Sequence, residues 1–157
     1  MYKKIMVPLD GSQLAECIFP HLEIVVKGCQ IAPEVVLVQV VEPITIPYGR
    51  YVSQYSSMEQ IKTFQTHQET EAKEYLDKTI TYLRSIGISA KTDIIHGKAS
   101  EALSDYANKN KIDLVVMATH GRSGVSRFVW GSVADRLLRS LCVPVLMVRA
   151  PGCVPGV

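Results

Sequence analysis

The chain has 157 residues, of which 47% are hydrophobic and 20% charged, and its formal net charge is +2 at neutral pH. That length suits one domain with a full core and is too short for two. The small net charge points away from a nucleic-acid or anionic-membrane surface, and no apolar run reaches the ~18 residues that a membrane span requires.

Residues 4–9 read as a buried strand, closed by the turn Asp10-Gly11-Ser12. Pro8 cannot donate to a sheet ladder, so it is expected at the strand's carboxyl end, where pairing stops. Ser12 is a candidate N-cap for a helix reaching Lys27, with Leu14, Ile18, Leu22 and Val25 on one face and a kink at Pro20. Residues 34–41 form a second apolar strand, ended by Pro43. Residues 42–57 hold Pro43, Pro47, Tyr48, Tyr51 and Tyr55 and read as a long loop.

A helix is expected over residues 58–86. Its second half carries an apolar face of Ala72, Leu76, Ile80 and Leu83. Its first half is polar, with only Met58, Ile61 and Phe64, and is expected to protrude or touch a partner. Gly87 ends it. Residues 89–95 alternate through Ala90, Thr92 and Ile94, the pattern of a half-covered edge strand. A helix over 100–110 turns Ala102, Leu103, Tyr106 and Ala107 inward. A fourth strand at 112–117, a helix at 132–141 and a fifth strand at 144–148 complete the set, with one domain over 1–149 and a loose tail over 150–157. Strands alternating with helices predict an α/β fold: right-handed βαβ units and a parallel sheet covered on both faces.

The four cysteines, Cys17, Cys29, Cys142 and Cys153, make no Cys-x-x-Cys pair. Cys17 and Cys142 stand in apolar helical surroundings, so free thiols in a reducing compartment are expected, without zinc or disulfides. The chain passes from Met-Tyr-Lys-Lys directly into a strand, without a signal-peptide pattern, and a cytoplasmic protein is expected.

The stretch from Met117 to Ala134 carries the chemistry. It leaves a buried strand, passes Gly121, Gly124 and Gly131, and enters a helix at Ser132. Small residues let a ligand approach the backbone, Ser132 can cap the helix, and the helix N-terminus offers free N–H groups to an anion such as phosphate. Many loops of this shape bind nothing. No Gly-x-x-x-x-Gly-Lys-Ser/Thr and no Gly-x-Gly-x-x-Gly occurs, so a nucleotide must be held another way.

The opening Lys3-Lys4-Ile5-Met6-Val7-Pro8-Leu9-Asp10-Gly11-Ser12 and this loop together resemble the universal stress protein family, over residues 1–149. The family's nucleotide-binding branch carries Gly, two residues, Gly, nine residues, Gly, then Ser or Thr. Here the pattern reads Ala118, Thr119-His120, Gly121, nine residues, Gly131, Ser132. The resemblance implies a five-stranded parallel sheet in the order 3-2-1-4-5 with helices on both faces. It also implies a homodimer through the fifth strand (Val143 to Arg149) and ATP bound without a Walker sequence. AMP and cyclic AMP stay open as alternatives, as does a role for Mg2+. Pro8, Asp10 and Val40 would line the adenosine pocket, with Met117 and Ala118 along the ribose. Gly121, Gly131, Ser132, Val133 and Ala134 would hold the phosphates. Ala118 departs from the pattern: a positive φ there would disfavour alanine, whereas a close approach alone tolerates one methyl.

Individual residues have plainer readings beside these. Asp10 in Asp-Gly-Ser is also good turn chemistry. Arg127 can reach phosphate oxygens bidentately, whereas Arg122 reads as a solvated charge. His120 is expected to shape the loop, Phe128 and Trp130 to pack, and His96 and Lys98 to lie away from the crevice. An apolar fifth strand at the sheet edge invites pairing with a second copy. The functional expectation is a nucleotide-binding regulatory dimer in a stress response. A slow ATPase is one rival, with only Asp10 and His120 as thin catalytic candidates. The other is a nucleotide-free interaction module that uses residues 42–70 to recognise a protein.

Overall fold

The computed structural model describes residues 2–43, 58–119 and 132–149. Strand β1 (Lys4–Leu9) leads through a 3-10 turn (Ala15–Ile18) to helix α1 (Phe19–Lys27) and strand β2 (Glu34–Val41). Helix α2 (Met58–Ser85), β3 (Ala90–His96), α3 (Ala99–Lys109), β4 (Leu114–Ala118), α4 (Ser132–Ser140) and β5 (Val145–Val148) follow. The five strands are all parallel, in the order β3-β2-β1-β4-β5, as expected.

The period-two pattern of the strands divides the core. Ile5, Val7 and Leu9 of β1, with Val35 and Leu37 of β2, pack against Leu22 of α1 and Leu76 and Leu83 of α2. Met6, Val36, Val38, Val115 and Met117 face the other way, onto Leu103 and Ala107 of α3 and Leu137 of α4. Both faces of the central strands are therefore dry, which is why these strands read as unbroken apolar runs. Each fully buried Leu or Ile contributes about 1.5–3 kcal/mol relative to exposure.

Pro8 opens the sheet at one place. Lys3 O accepts from the Glu34 N–H on the β2 side (2.8 Å), and Lys4 O accepts from the Asp113 N–H on the β4 side (3.0 Å). Successive residues thus bond to opposite neighbours, and Pro8, in step with Lys4, turns its missing donor toward β4. Pairing with β4 covers Ile5↔Leu114 and Met6↔Val115 and goes no further. Pairing with β2 runs on through Pro8↔Val38 to Leu9↔Gln39. The expectation that pairing stops at Pro8 holds on the β4 side and fails on the β2 side. The result is a cleft between β1 and β4, where the strand order reverses and where sheets of this kind take ligands.

The first helix differs from its sequence reading. No single kinked helix spans 12–27. A 3-10 turn comes first, and Pro20 stands in the opening turn of α1, where its missing N–H has no helical partner to lose. Ser12 closes the preceding turn: its N–H and hydroxyl donate to Asp10 Oδ1 at 3.0 and 2.7 Å, and its Oγ accepts from the Ala15 N–H at 3.3 Å. Helix α2 ends as expected at Gly87 (φ 84°), with the Ile88 N–H donating to Leu83 O and the Gly87 N–H to Arg84 O. Lys111 (φ 53°) takes the equivalent left-handed position after α3. Cys142 lies beyond the end of α4 and is exposed, in place of the apolar helical setting expected; Cys17, Cys29 and Cys142 are free thiols. Among the described residues no helix is long and apolar enough to cross a membrane.

Candidate functional site

A cavity of about 710 Å³ lies beyond the carboxyl ends of β1, β2 and β4, within the ~300–1,000 Å³ range of small-molecule pockets. Its walls include eight of the eleven residues singled out from the sequence: Pro8, Asp10, Val40, Met117, Ala118, Ser132, Val133 and Ala134. Gly121, Arg127 and Gly131 lie outside the described residues, as do His120, Arg122, Phe128 and Trp130.

Each wall has a local cause. Beside the Pro8 cleft, the Asp10 carboxylate is already engaged by Ser12, so the turn reading of Asp10 is correct and the residue also borders the cavity. From β4, Met117 and Ala118 enter on opposite faces of the sheet. The Thr119 N–H donates to Val148 O at 2.9 Å, which holds the end of β4 to β5 as the chain leaves the sheet. Among the described residues Lys111 is the one non-glycine with positive φ, so Ala118 has an ordinary backbone and its position makes no conformational demand for glycine. Helix α4 begins at the cavity with Ser132 exposed, and Ala134 and Leu137 anchor it from below. The first four N–H groups of a helix have no partner within it, so this end presents donors and the positive end of a dipole.

Other walls were not found from the sequence. The polar first half of α2, expected to protrude or touch a partner, supplies Phe64, His67, Gln68 and Glu71 and so forms one side of the cavity. His67 Nδ1 lies 3.4 Å from Glu71 Oε2. Glu42, just past β2, accepts the Ala99 N–H at 2.8 Å and so caps α3, whose own N-cap residue Lys98 makes no side-chain cap. Ala99 and Leu103 of α3 complete that side. Below the α2 face, burial raises the Tyr75 hydroxyl pKa well above the ordinary tyrosine value, and the Glu16 carboxylate adds to the effect. His96 and Lys98 stay on the surface, paired with Glu69 and Glu101, as expected.

Gln39 is a further addition. It is 6% exposed, and its Oε1 has no hydrogen-bond partner among the described residues; the same holds for Gln68 Oε1. Both side chains line the cavity.

The sequence profile of the universal stress protein family matches residues 1–149. The chain belongs to this family. A universal stress protein of Methanocaldococcus jannaschii is 29% identical over 154 residues, covering 96% of this chain and 84% of that one. The solved structure of a second protein of that archaeon, also a universal stress protein, superposes with a TM-score of 0.81 at 25% identity, covering 97% and 99% of the two chains. An Arabidopsis thaliana universal stress protein solved with AMP bound shares the fold, with a TM-score of 0.66 at 17% identity over 96% and 93% of the chains. The universal stress protein fold is thus common ground.

The residues of the cavity fit an adenine nucleotide in kind. Val40, Met117 and Leu103 give apolar walls for a base. The start of α4 offers backbone donors to phosphate. Two enclosed amide oxygens ask for a donor from whatever fills the space. Among the described residues no group of His, Cys, Asp or Glu is placed to hold a metal ion by itself.

Proposed function

We propose that this universal stress protein binds an adenine nucleotide, ATP or its smaller relatives AMP and cyclic AMP, and that the bound state is a regulatory signal. The observation that carries the reading is the single cavity that gathers Pro8, Asp10, Val40, Met117 and Ala118 with Ser132, Val133 and Ala134 from the far side of the glycine stretch. Pro8, Asp10 and Val40 border the adenosine, and Met117 and Ala118 lie along the ribose. Gly121, Gly131, Ser132, Val133 and Ala134 hold the phosphates through backbone N–H groups, with Arg127 reaching their oxygens. Mg2+, where it takes part, rides on the phosphates and neutralises part of their charge. The AMP held by the Arabidopsis relative supports the adenine class.

A homodimer through the fifth strand belongs to the same proposal. The two sheet edges differ in chemistry. β3 shows Lys91, Thr92 and Asp93 to solvent, whereas β5 leaves Val145, Leu146 and Met147 partly exposed. A charged edge discourages further pairing and an apolar one invites it. A two-fold contact between copies covers that edge.

Calorimetric titration with ATP, with and without Mg2+, and with AMP tests the nucleotide reading. Nucleotide at 100-fold its Kd adds about 2.7 kcal/mol of stability, a rise of about 5–11 °C in Tm for a chain of this size. Ser132→Glu is the matching control. A carboxylate in the first turn suits the helix dipole and keeps the fold, yet its charge enters the anion site. Expected is an unchanged or higher Tm for the empty variant with nucleotide binding lost; equal affinity in the variant sinks the placement. Phosphate release in the same samples reports turnover.

A further inference from the structure

The small net charge of the chain conceals a division between its two ends. In a parallel sheet each helix runs back between strands, so the last turns of the helices and the first residues of the strands gather at one end, opposite the cavity. The last turns of α1, α2, α3 and α4 hold Lys27, Arg84, Lys109 and Arg139. Lys3, Lys4 and Lys91 stand where β1 and β3 begin, and Lys111 in the turn before β4. The same turns and strand starts hold two carboxylates: Glu34, shared by Lys4 and Lys91, and Asp113, turned onto the backbone N–H groups of Lys3 and Lys4. Eight cations against two carboxylates exceed the whole chain's +2, so the rest of the molecule is net acidic. Helix dipoles account for a base in each last turn. They do not account for Lys3 or Lys111. Lys111 holds a left-handed φ of 53°, a position that favours glycine, so a charge stands there at a cost in backbone strain. Lys3, Arg84, Lys109 and Lys111 have no ion-pair partner among the described residues.

Exposed apolar side chains share this end. Ile31, in the uncharged loop before β2, is 78% exposed, and Ile24, in the last turn of α1, is 71% exposed. They are the most exposed large hydrophobics among the described residues. Tyr2 is exposed beside Lys3, and the Glu34 N–H donates to Lys3 O at 2.8 Å, so Tyr2 and Ile31 flank the start of the same strand pair.

We propose that this end docks on an anionic lipid surface, with Ile31 and Tyr2 entering the headgroup layer and the surrounding lysines and Arg84 held against lipid phosphates and carboxylates. The net charge alone pointed away from a membrane because it averages the two ends. Basic side chains around exposed apolar ones suit peripheral attachment, where burial and attraction to anionic lipid act together. A nucleic acid would take the lysines and leave the isoleucines in water. A free phosphate or a single acidic side chain engages one or two of these cations, whereas an extended anionic layer meets cations from several elements at once. The opposite end carries Asp10, Glu42 and Glu71 and is repelled by the same surface, so the molecule attaches in one orientation, with the cavity toward water.

The test is flotation of the full chain with vesicles of phosphatidylcholine alone, and with about one-third phosphatidylserine added, at low and at physiological salt. Expected is binding to the anionic vesicles only, weakening as salt rises. Lys111→Gly should weaken it by about fivefold and leave the Tm equal or higher, because it removes a charge and relieves backbone strain together. Ile31→Ser, at an exposed position, should weaken it several-fold with the Tm unchanged. Lys98→Gln removes one charge from the cavity end and should leave vesicle binding as it was. Equal binding to both vesicle types, or to neither, overturns the inference. So does an equal loss in Lys98→Gln and Lys111→Gly, because net charge alone is then at work. Full vesicle binding in Ile31→Ser, together with displacement of the vesicles by poly-glutamate, assigns this end to an acidic protein and overturns the lipid reading.

Discussion

Ala118→Gly restores the glycine of the family pattern, and the structure dictates what that does. Ala118 is the last residue of β4, paired with Val148 of β5, with an ordinary backbone and a half-buried methyl against the α1/α2 side of the core. Losing half of a buried carbon's transfer energy costs about 0.4 kcal/mol. Glycine's extra backbone freedom in a strand costs about 0.5–1 kcal/mol more. The sum, about 1–1.5 kcal/mol, lowers Tm by about 2–6 °C in a domain of this size. Because φ is not positive here, glycine relieves no strain, and AMP affinity should change by less than about threefold, under 0.7 kcal/mol. Thermal melts of the empty protein and calorimetry with AMP measure the two terms side by side. A rise in Tm would show that the backbone at 118 is strained after all. A tenfold gain in affinity would show that the methyl obstructs the ribose, and the reading of Ala118 as a tolerated replacement would be wrong.

Asp10→Ala should cost about 1–3 kcal/mol, since two hydrogen bonds to Ser12 go with it, whereas Asp10→Asn keeps an acceptor and should cost under about 1 kcal/mol; equal melting temperatures would show that the turn does not depend on this acceptor. Gly87→Ala should destabilise by about 1–2 kcal/mol through φ alone, because an added Cβ meets nothing within 4 Å. Lys111→Gly should do the reverse by up to about 1 kcal/mol, relieving the left-handed strain after α3, and denaturant midpoints that move the same way in both variants would refute the pairing. Burial, followed by the hydrogen bond and charge of Asp93, pushes Tyr106 up to about 12. The unfolded chain releases this proton near pH ~10, so the stability it contributes is full below that and is lost as pH rises toward 12; Tyr106→Phe should flatten the fall in Tm over this window, and an unchanged slope would exclude Tyr106 as its source.

The layered α/β plan was legible because β1, β2 and β4 are dry on both faces and carry no polar interruption until their carboxyl ends. The strand order came from the resemblance, since periodicity does not say which strands are neighbours. Pro20 misled because proline breaks a helix from within and starts one at its first turn, and only the preceding 3-10 turn decides between them. The first half of α2 misled for a related reason. Phe64, His67, Gln68 and Glu71 face a hollow, and a helix that lines a hollow looks in sequence like one that faces water. Gln39 was the signal that could have been read: a glutamine inside Val35-Val36-Leu37-Val38-Gln39-Val40-Val41 interrupts an apolar strand at an inward position. Glu42 left no such mark, because capping α3 from the end of β2 is a contact between elements 57 residues apart.

The charges around the cavity also orient what it holds. Asp10, Glu42 and Glu71 reach it from β1, the end of β2 and α2, and no described carboxylate reaches it from α4. Each of the three has a partner: Ser12, the Ala99 N–H and His67. A hydrogen bond from a neutral donor does not cancel a carboxylate's charge, so a phosphate beside Asp10 or Glu42 would meet repulsion in a site that partly excludes water. The start of α4 carries the opposite sign. A nucleotide bound as proposed would lie with its phosphates toward Ser132 and its base toward β2 and α2. The same polarity would let a chain without a P-loop lysine hold a nucleotide: the attraction lies at one end of the cavity and the repulsion at the other, and a molecule charged at one end fits in a single direction.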